Sequence, residues 1–280
     1  MNVLIVGHGF VGKAISGALK SSVNLSIADP NLDNDQYNFK DNNIDIIFIC
    51  LPTPMHKDGD CNSSIVEAEM KISNKLFPEA LKVIKSTLPP NKLKDIEQKY
   101  NSVVYNPEFL TEKNAISDFI NSDFQIFGGN IKLSKLLERF YKKHTLCKSF
   151  KPSFTTIEIA SLVKYTINSF LATKVIFFNE LKKLFNDRSF SHDQFKEFIE
   201  ILSLDARVGS SHMNVPGHDG RLGFGGACFP KDTQAFIKFF EKNNLEFELL
   251  HKAIQINKNI RSSYDEIMER EKDQNISFIE

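Results

Sequence analysis

The 280-residue chain has no tryptophan, only four cysteines and no excess of either charge, with 35 basic and 35 acidic side chains. Each shortage excludes something. A balanced charge leaves no electrostatic footprint for nucleic acid or an anionic membrane. No apolar run approaches the roughly 20 residues of a membrane span. The apolar start MNVLIVGHGFVG lacks a basic leader and breaks into glycines too soon for a signal peptide. Cys50, Cys61, Cys147 and Cys228 show no CxxC or Cys/His spacing. No zinc or other metal site is expected, and a reduced, cytoplasmic protein is the default. Cys50 and Cys147 lie in strand-like runs and read as core fillers, and Cys61 as a loop residue.

What is present is ordinary for a soluble globular chain, at 41% hydrophobic and 25% charged residues. The length allows two domains. In the first half, short β-rich runs alternate with helical patterns. Strands are expected over residues 2–6, 23–28, 44–51, 81–86, 102–105 and 124–129. Several are almost continuously apolar, as strands buried on both faces are. The expected fold class is α/β, a Rossmann-type, doubly wound parallel sheet over residues 1–152. From Lys151-Pro152 onward the texture changes to an all-α central domain, 153–262, followed by a charged tail, 263–280. Residues 155–187 contain no Gly or Pro and suit one long helix, with Thr155 and Glu158 spaced as a capping box. Such a helix, apolar on more than one face, commonly packs against a partner chain. Further helices are expected over about 191–203, 230–242 and 247–259.

GHGFVG follows the first strand and opens a helix, giving Gly7, Gly9 and Gly12. The first glycine permits the tight turn, the second lets a pyrophosphate approach the backbone, and the third allows close helix–strand packing. Asp29 ends the second strand about 20 residues on, where a carboxylate bonds ribose hydroxyls. No Arg or Lys stands beside it in ADPN, so NAD is expected rather than NADP.

The second half supplies chemistry. Lys164 and Asn168, four apart on the long helix, share a face. They are either an ammonium and amide that hold an oxyanion, or a lysine at the edge of a solvated face beside a chance asparagine. Cys228, in GFGGACFPKD, stands two residues before Pro230 at a helix entrance. A helix dipole and accessible backbone N–H groups there favour a thiolate. Beside a nicotinamide cofactor, a thiolate has a specific use. It adds to an aldehyde, and the thiohemiacetal then donates a second hydride to leave a thioester.

With GHGFVG, CLPTPMHKDGD, KSTLPP, YNPEFLTE, EIASLVKYTINSFLATKVIFFNE and MNVPGHDGRLGFGGACFPKD, the chain resembles the UDP-glucose/GDP-mannose dehydrogenase family almost end to end. The FGGACFPKD form is more like its UDP-glucose branch than the others. The resemblance implies NAD-dependent four-electron oxidation of a nucleotide sugar at C6, UDP-glucose to UDP-glucuronate. It makes Cys228 the nucleophile and Lys164 with Asn168 the oxyanion holders. Glu108 becomes the acid/base of thioester hydrolysis, and Thr87 positions the catalytic water. Asp232 would hold that water and Lys164 from behind. It adds Phe10, Val11, Pro52, Thr53, Ser86 and Thr87 to the cofactor site. Glu108, Phe109, Leu110, Glu112, Lys164, Asn168, Phe224 and Gly225 line the UDP-sugar, and Arg207 reaches the substrate of a neighbouring subunit in a homodimer built on the long helix. The family's C-terminal UDP-binding domain has no counterpart in the sequence. A separate subunit that supplies it, a minimal site, or NAD binding without catalysis are the expectations that follow. Two other readings stand beside this one. A single-hydride β-hydroxyacid-type dehydrogenase has no need of Cys228, and a non-catalytic NAD-binding subunit is indifferent to it.

Overall fold

Runs such as NVLIV, IIFI and LKVI are buried along almost their whole length, which requires cover on both faces of a sheet. The computed structural model describes residues 1–188 and 190–278, apart from the side chain of Glu112. Seven strands form one sheet: β1 (Asn2–Val6), β2 (Asn24–Ala28), β3 (Ile46–Ile49), β4 (Leu81–Ile84), β5 (Val103–Tyr105), β6 (Phe124–Gly129) and β7 (Lys151–Thr155). Their order is β2-β1-β3-β4-β5-β6-β7. The helices are α1 (Phe10–Ala18), α2 (Ser64–Leu76), α3 (Pro90–Lys99), α4 (Ala115–Ile120), α5 (Ile131–His144), α6 (Ile157–Asp187), α7 (His192–Ser203), α8 (Phe229–Lys242), α9 (Glu248–Arg261) and α10 (Glu269–Lys272).

The chain forms two compact units. The first, Met1–Thr53 with Asn62–Lys164, holds the sheet. Its core joins Val3, Ile5 and Phe48 to Phe127, Phe140 and Tyr141. The second comprises Pro54–Cys61 and the chain from Tyr165 onward, with apolar clusters around Phe178 and Phe195 and around Ala172 and Phe224. α6, with 31 residues, begins in the first unit and continues into the second.

Three expectations change. The sheet is mixed, because β5 and β6 pair antiparallel while every other neighbouring pair is parallel. Residues 151–155 form a strand at the sheet's edge, where Pro152 is tolerated because the edge asks no ladder N–H of it. Thr155 therefore belongs to β7, and the cap of α6 falls to Thr156, whose hydroxyl accepts from Ile159 N at 3.2 Å. Finally, the expected charged tail is folded: Glu271 and Ile276 are buried.

Candidate active site

The loops that leave the C-terminal ends of the parallel strands carry the first unit's polar residues, as the switch-point rule for open α/β sheets requires. Gly7 adopts φ +89°, and a Cβ there would stand 2.6 Å from the Cys50 carbonyl oxygen. A Cβ on Gly12 would meet the Gly7 oxygen at 2.1 Å, whereas one on Gly9 would meet no heavy atom within 4 Å. The turn is thus closed at its first and third glycines and open at its second, the geometry that a pyrophosphate needs. Phe10 and Val11 pack against the core of this unit. Asp29 is buried, with Oδ2 accepting from His8 N at 2.5 Å and Oδ1 from Asn31 N at 2.8 Å. Burial pushes its carboxyl up, but the His8 and Asn31 N–H groups outweigh this and hold it below its ordinary value. Both carboxylate oxygens are thus held in place at the end of β2, where a ribose hydroxyl would be met. These residues fit NAD.

At the ends of β3 and β4, the Ser86 hydroxyl donates to Leu51 O at 2.7 Å and accepts from Leu51 N at 2.9 Å. Its observed work is to fix the turn that presents Pro52 and Thr53. Thr53 and Thr87 are buried, and Pro52 is exposed.

Beyond β5, residues 106–110 bring Glu108 to Lys164 of α6. Lys164 Nζ donates to Glu108 O at 2.6 Å and to Glu108 Oε1 at 3.2 Å, and sits 5.2 Å from the Phe109 ring centroid. Both side chains are buried. Glu108 Oε2 also accepts from Leu110 N at 2.8 Å. Burial opposes ionisation of Glu108, yet Lys164, the Leu110 N–H and Lys85 together hold its carboxyl below the ordinary range. The pair is a buried carboxylate–ammonium couple, suited to moving a proton. The Glu112 side chain lies outside the described residues.

In the second unit, Cys228 is the N-cap residue of α8, with Phe229 and Pro230 as its first two helical residues. Asp232 is 1% exposed; its Oδ2 accepts from Asn168 Nδ2 and its Oδ1 from Lys231 Nζ, both at 2.6 Å. Asn168, four residues along α6 from Lys164, is therefore held by Asp232. Lys231 was not singled out from the sequence, although it stands inside the quoted FPKD. Burial lowers its pKa, but the Asp232 carboxylate, which it bonds, outweighs that and holds its ammonium protonated. The other thiols are core thiols. Burial pushes Cys50 up to about 12 and Cys61 up to about 11, and raises Cys147.

The loop before Cys228 is fixed by groups that sequence reasoning also missed. Asn257 accepts from Phe224 N at 2.7 Å and donates to Phe224 O at 2.9 Å. Gly226 N donates to Glu271 Oε1 at 3.0 Å, and the buried Arg261 pairs with Asp219 at 2.7 Å. A Cβ on Gly225 would lie 2.4 Å from Glu271 Oε1 and 2.8 Å from Arg261 Nη1, so a side chain there would have to displace the ends of these two residues. Phe224 is buried in the cluster with Ala172 and Ala253. Arg207 is exposed and chelates its neighbour Asp205, Nη2 to Oδ2 at 2.6 Å. Among the described residues, no group of three or more His, Cys, Asp or Glu side chains could hold a metal. No described helix is long and apolar enough to cross a membrane.

Residues 17–145 match the NAD binding domain, and residues 158–259 the central domain, of the UDP-glucose/GDP-mannose dehydrogenase family. The chain belongs to that family. It is 32% identical to UDP-glucose 6-dehydrogenase of Rickettsia bellii over 302 aligned positions, covering 92% of this chain and 67% of the relative. It is 34% identical to UDP-glucose 6-dehydrogenase of Rickettsia prowazekii, covering 77% of this chain and 50% of that one. The chain thus spans between half and two-thirds of the length of these relatives. Among solved structures, it is similar to a UDP-glucose dehydrogenase from Pyrobaculum islandicum at 26% identity and TM-score 0.72, covering 92% of this chain and 68% of that one. A GDP-mannose dehydrogenase from Pseudomonas aeruginosa shares the fold at 23% identity and TM-score 0.62, covering 95% of this chain and 72% of that one.

Proposed function

We propose that this family member oxidises UDP-glucose at C6 to UDP-glucuronate, with two NAD consumed per sugar. The observation that carries this reading is the cysteine at the N-cap of α8, in the same first turn as Asp232, the carboxylate that pairs with Lys231 and orients Asn168. Residues 7–12 and Asp29 would hold NAD, which would supply the acceptor for each of the two hydrides. The chain's own groups do the rest. The C6 hydroxyl would give its proton to a base as carbon C6 gives up a hydride, leaving an aldehyde. Cys228 Sγ adds to the carbonyl carbon, and the ammonium of Lys164 and amide of Asn168 stabilise the oxyanion. The thiohemiacetal loses a second hydride and a proton to give a thioester. Glu108, ionised and bonded to Lys164, takes a proton from the water that attacks it, releasing the acid and the thiol. Thr87 positions that water. Free cysteines suit the reducing cytoplasm. A homodimer built on α6 is supported by Phe170, Phe177 and Leu184, which lie seven residues apart and remain 65%, 63% and 51% exposed.

The test is the number of NADH formed per UDP-glucose consumed by the purified chain. Two supports oxidation to the acid, with Cys228→Ala forming no acid while NAD affinity is unchanged. One reduces the reaction to a single alcohol oxidation and removes the role of the thiol. None, with NAD still binding, rejects turnover by this chain alone.

A further inference from the structure

Lys85 directly follows β4 and is 2% exposed, an ionisable amine inside the sheet domain. Its Nζ donates to Asn106 Oδ1 at 2.7 Å and lies 5.8 Å from the Phe119 ring centroid. Asn106 is itself fully buried and fully engaged. The same Oδ1 accepts from Tyr141 Oη at 2.7 Å, and Nδ2 donates to Ile126 O at 2.7 Å and Gln125 Oε1 at 3.2 Å. Pro107, whose φ is fixed by its ring, is the single residue between Asn106 and Glu108. The charged or titratable groups that face Lys85 are Cys50, Glu108, Cys147 and Lys164, with Tyr141 reaching it through Asn106. Cys50 and Cys147 are held neutral by burial and Lys164 is a like charge, so Glu108 is the carboxylate available to balance it.

An unpaired buried ammonium is costly, and a fold keeps one where something depends on it. We propose that Lys85 is a positioning residue for Glu108: its ammonium pins Asn106 and, through Pro107, the Glu108 carboxylate, and sets a second buried amine on the sheet side of that carboxylate. Lys164 holds Glu108 from α6; Lys85 holds it from the sheet. A base that must accept a proton in one step of a cycle and release it in the next is served by two charges, since one of them is free to engage a reacting oxygen.

The kinetic arm of the test rests on Glu108 acting as the base, but the decisive arm does not. The full chain, labelled with ¹³C at glutamate carboxyl carbons, is titrated by NMR, with Glu108→Gln assigning the Glu108 signal. In Lys85→Met the Glu108 midpoint is expected to rise by about one pH unit or more, while Tyr141→Phe, which keeps the ammonium and removes one hydrogen bond to Asn106, leaves it in place. In the unmutated chain, the Glu108 carboxylate signal should show a second inflection as Lys85 loses its proton near pH 8, the value to which burial depresses it. That measurement does not depend on Lys85→Met folding. An unmoved Glu108 midpoint in folded Lys85→Met, or no inflection where the Lys85 side-chain signal titrates, overturns the proposal. If the chain turns over UDP-glucose, the acidic limb of acid formation in Lys85→Met should move up with the NMR midpoint. An absence of turnover rejects the proposed function and leaves the NMR result to decide the role of Lys85.

Discussion

Glycine at position 9 and glycine at position 12 answer to different demands. Gly12 is imposed by the protein itself, since its Cβ would overlap the Gly7 carbonyl, whereas the space around Gly9 is open. Gly12→Ala should therefore lose both stability, by about 1–3 kcal/mol from forced overpacking, and NAD affinity. Gly9→Ala should melt like the unmutated chain while binding NAD about tenfold or more weakly, a change of about 1.4 kcal/mol. Thermal melts and NAD titrations of the two variants separate these roles, and unchanged NAD affinity in Gly9→Ala would remove the pyrophosphate from this turn. The glycine turn, Asp29, the Lys164–Asn168 spacing and Cys228 were legible because each is a residue type whose spacing has a chemical consequence. Lys85 and Lys231 were not. A lysine in LKVIKS or FPKD reads as a solvated side chain, and only the packed neighbours show that its charge is buried. Asn257 and Glu271 were illegible for a related reason, as their partners at positions 223–226 lie more than 30 residues away.

At the scale of elements, the four helices given bounds, 155–187, 191–203, 230–242 and 247–259, lie within two residues of α6, α7, α8 and α9 because periodicity is local. Ser191 caps α7, with Gln194 completing the box. Strand direction is not local, so the antiparallel step between β5 and β6 left no mark in the sequence. β7 was missed because KPSFT has weak strand character and is held by its pairing with β6. α2 carries an element-level consequence of its own. Glu69 is 5% exposed and accepts from Ser73 Oγ at 2.5 Å. Burial pushes its carboxyl up to about 7 from an ordinary 4.5; Ser73 opposes this and the nearby Asp35 adds to it. A raised carboxyl binds its proton more tightly folded than unfolded. The stability it confers is fully present below about pH 4.5 and is lost as pH rises to about 7. Glu69→Gln, which retains an acceptor for Ser73, should match the unmutated chain at pH 4 and exceed it at pH 8 by up to about 3 kcal/mol. Chemical denaturation at the two pH values checks this, and a gap independent of pH would contradict it.

For the whole molecule, the stripe of Phe170, Phe177 and Leu184 along α6 sets the expected assembly. Large exposed apolar side chains at heptad spacing form a seam for a second helix. Phe177→Glu at the centre of that seam should halve the mass seen by light scattering while leaving the circular dichroism of the chain intact. An unaltered mass would place any self-association elsewhere. The exposure of this stripe was foreshadowed by a long helix apolar on more than one face. The folded state of residues 264–276 was not foreshadowed, because their charge suggested solvent. In fact Tyr264 Oη accepts from Leu222 N at 2.8 Å, Arg221 donates to Glu266 O at 2.6 Å, and Glu271 receives Gly226 N.

That late segment also gives the molecule a timetable. The short stretch Pro54–Cys61 is made early, yet its partners come far later: Asp60 pairs with Lys242, and Met55 exchanges hydrogen bonds with Gln274 and Asn275. Contacts across such separations form slowly, since the intervening chain must first be closed into a loop. During synthesis the sheet's strands, all complete by residue 155, can pair while this stretch and the loop ahead of Cys228 still wait for residues 242–275. The thiol's surroundings are then the last part of the molecule to set, and a chain arrested before that point would carry its nucleotide fold without the frame around its cysteine.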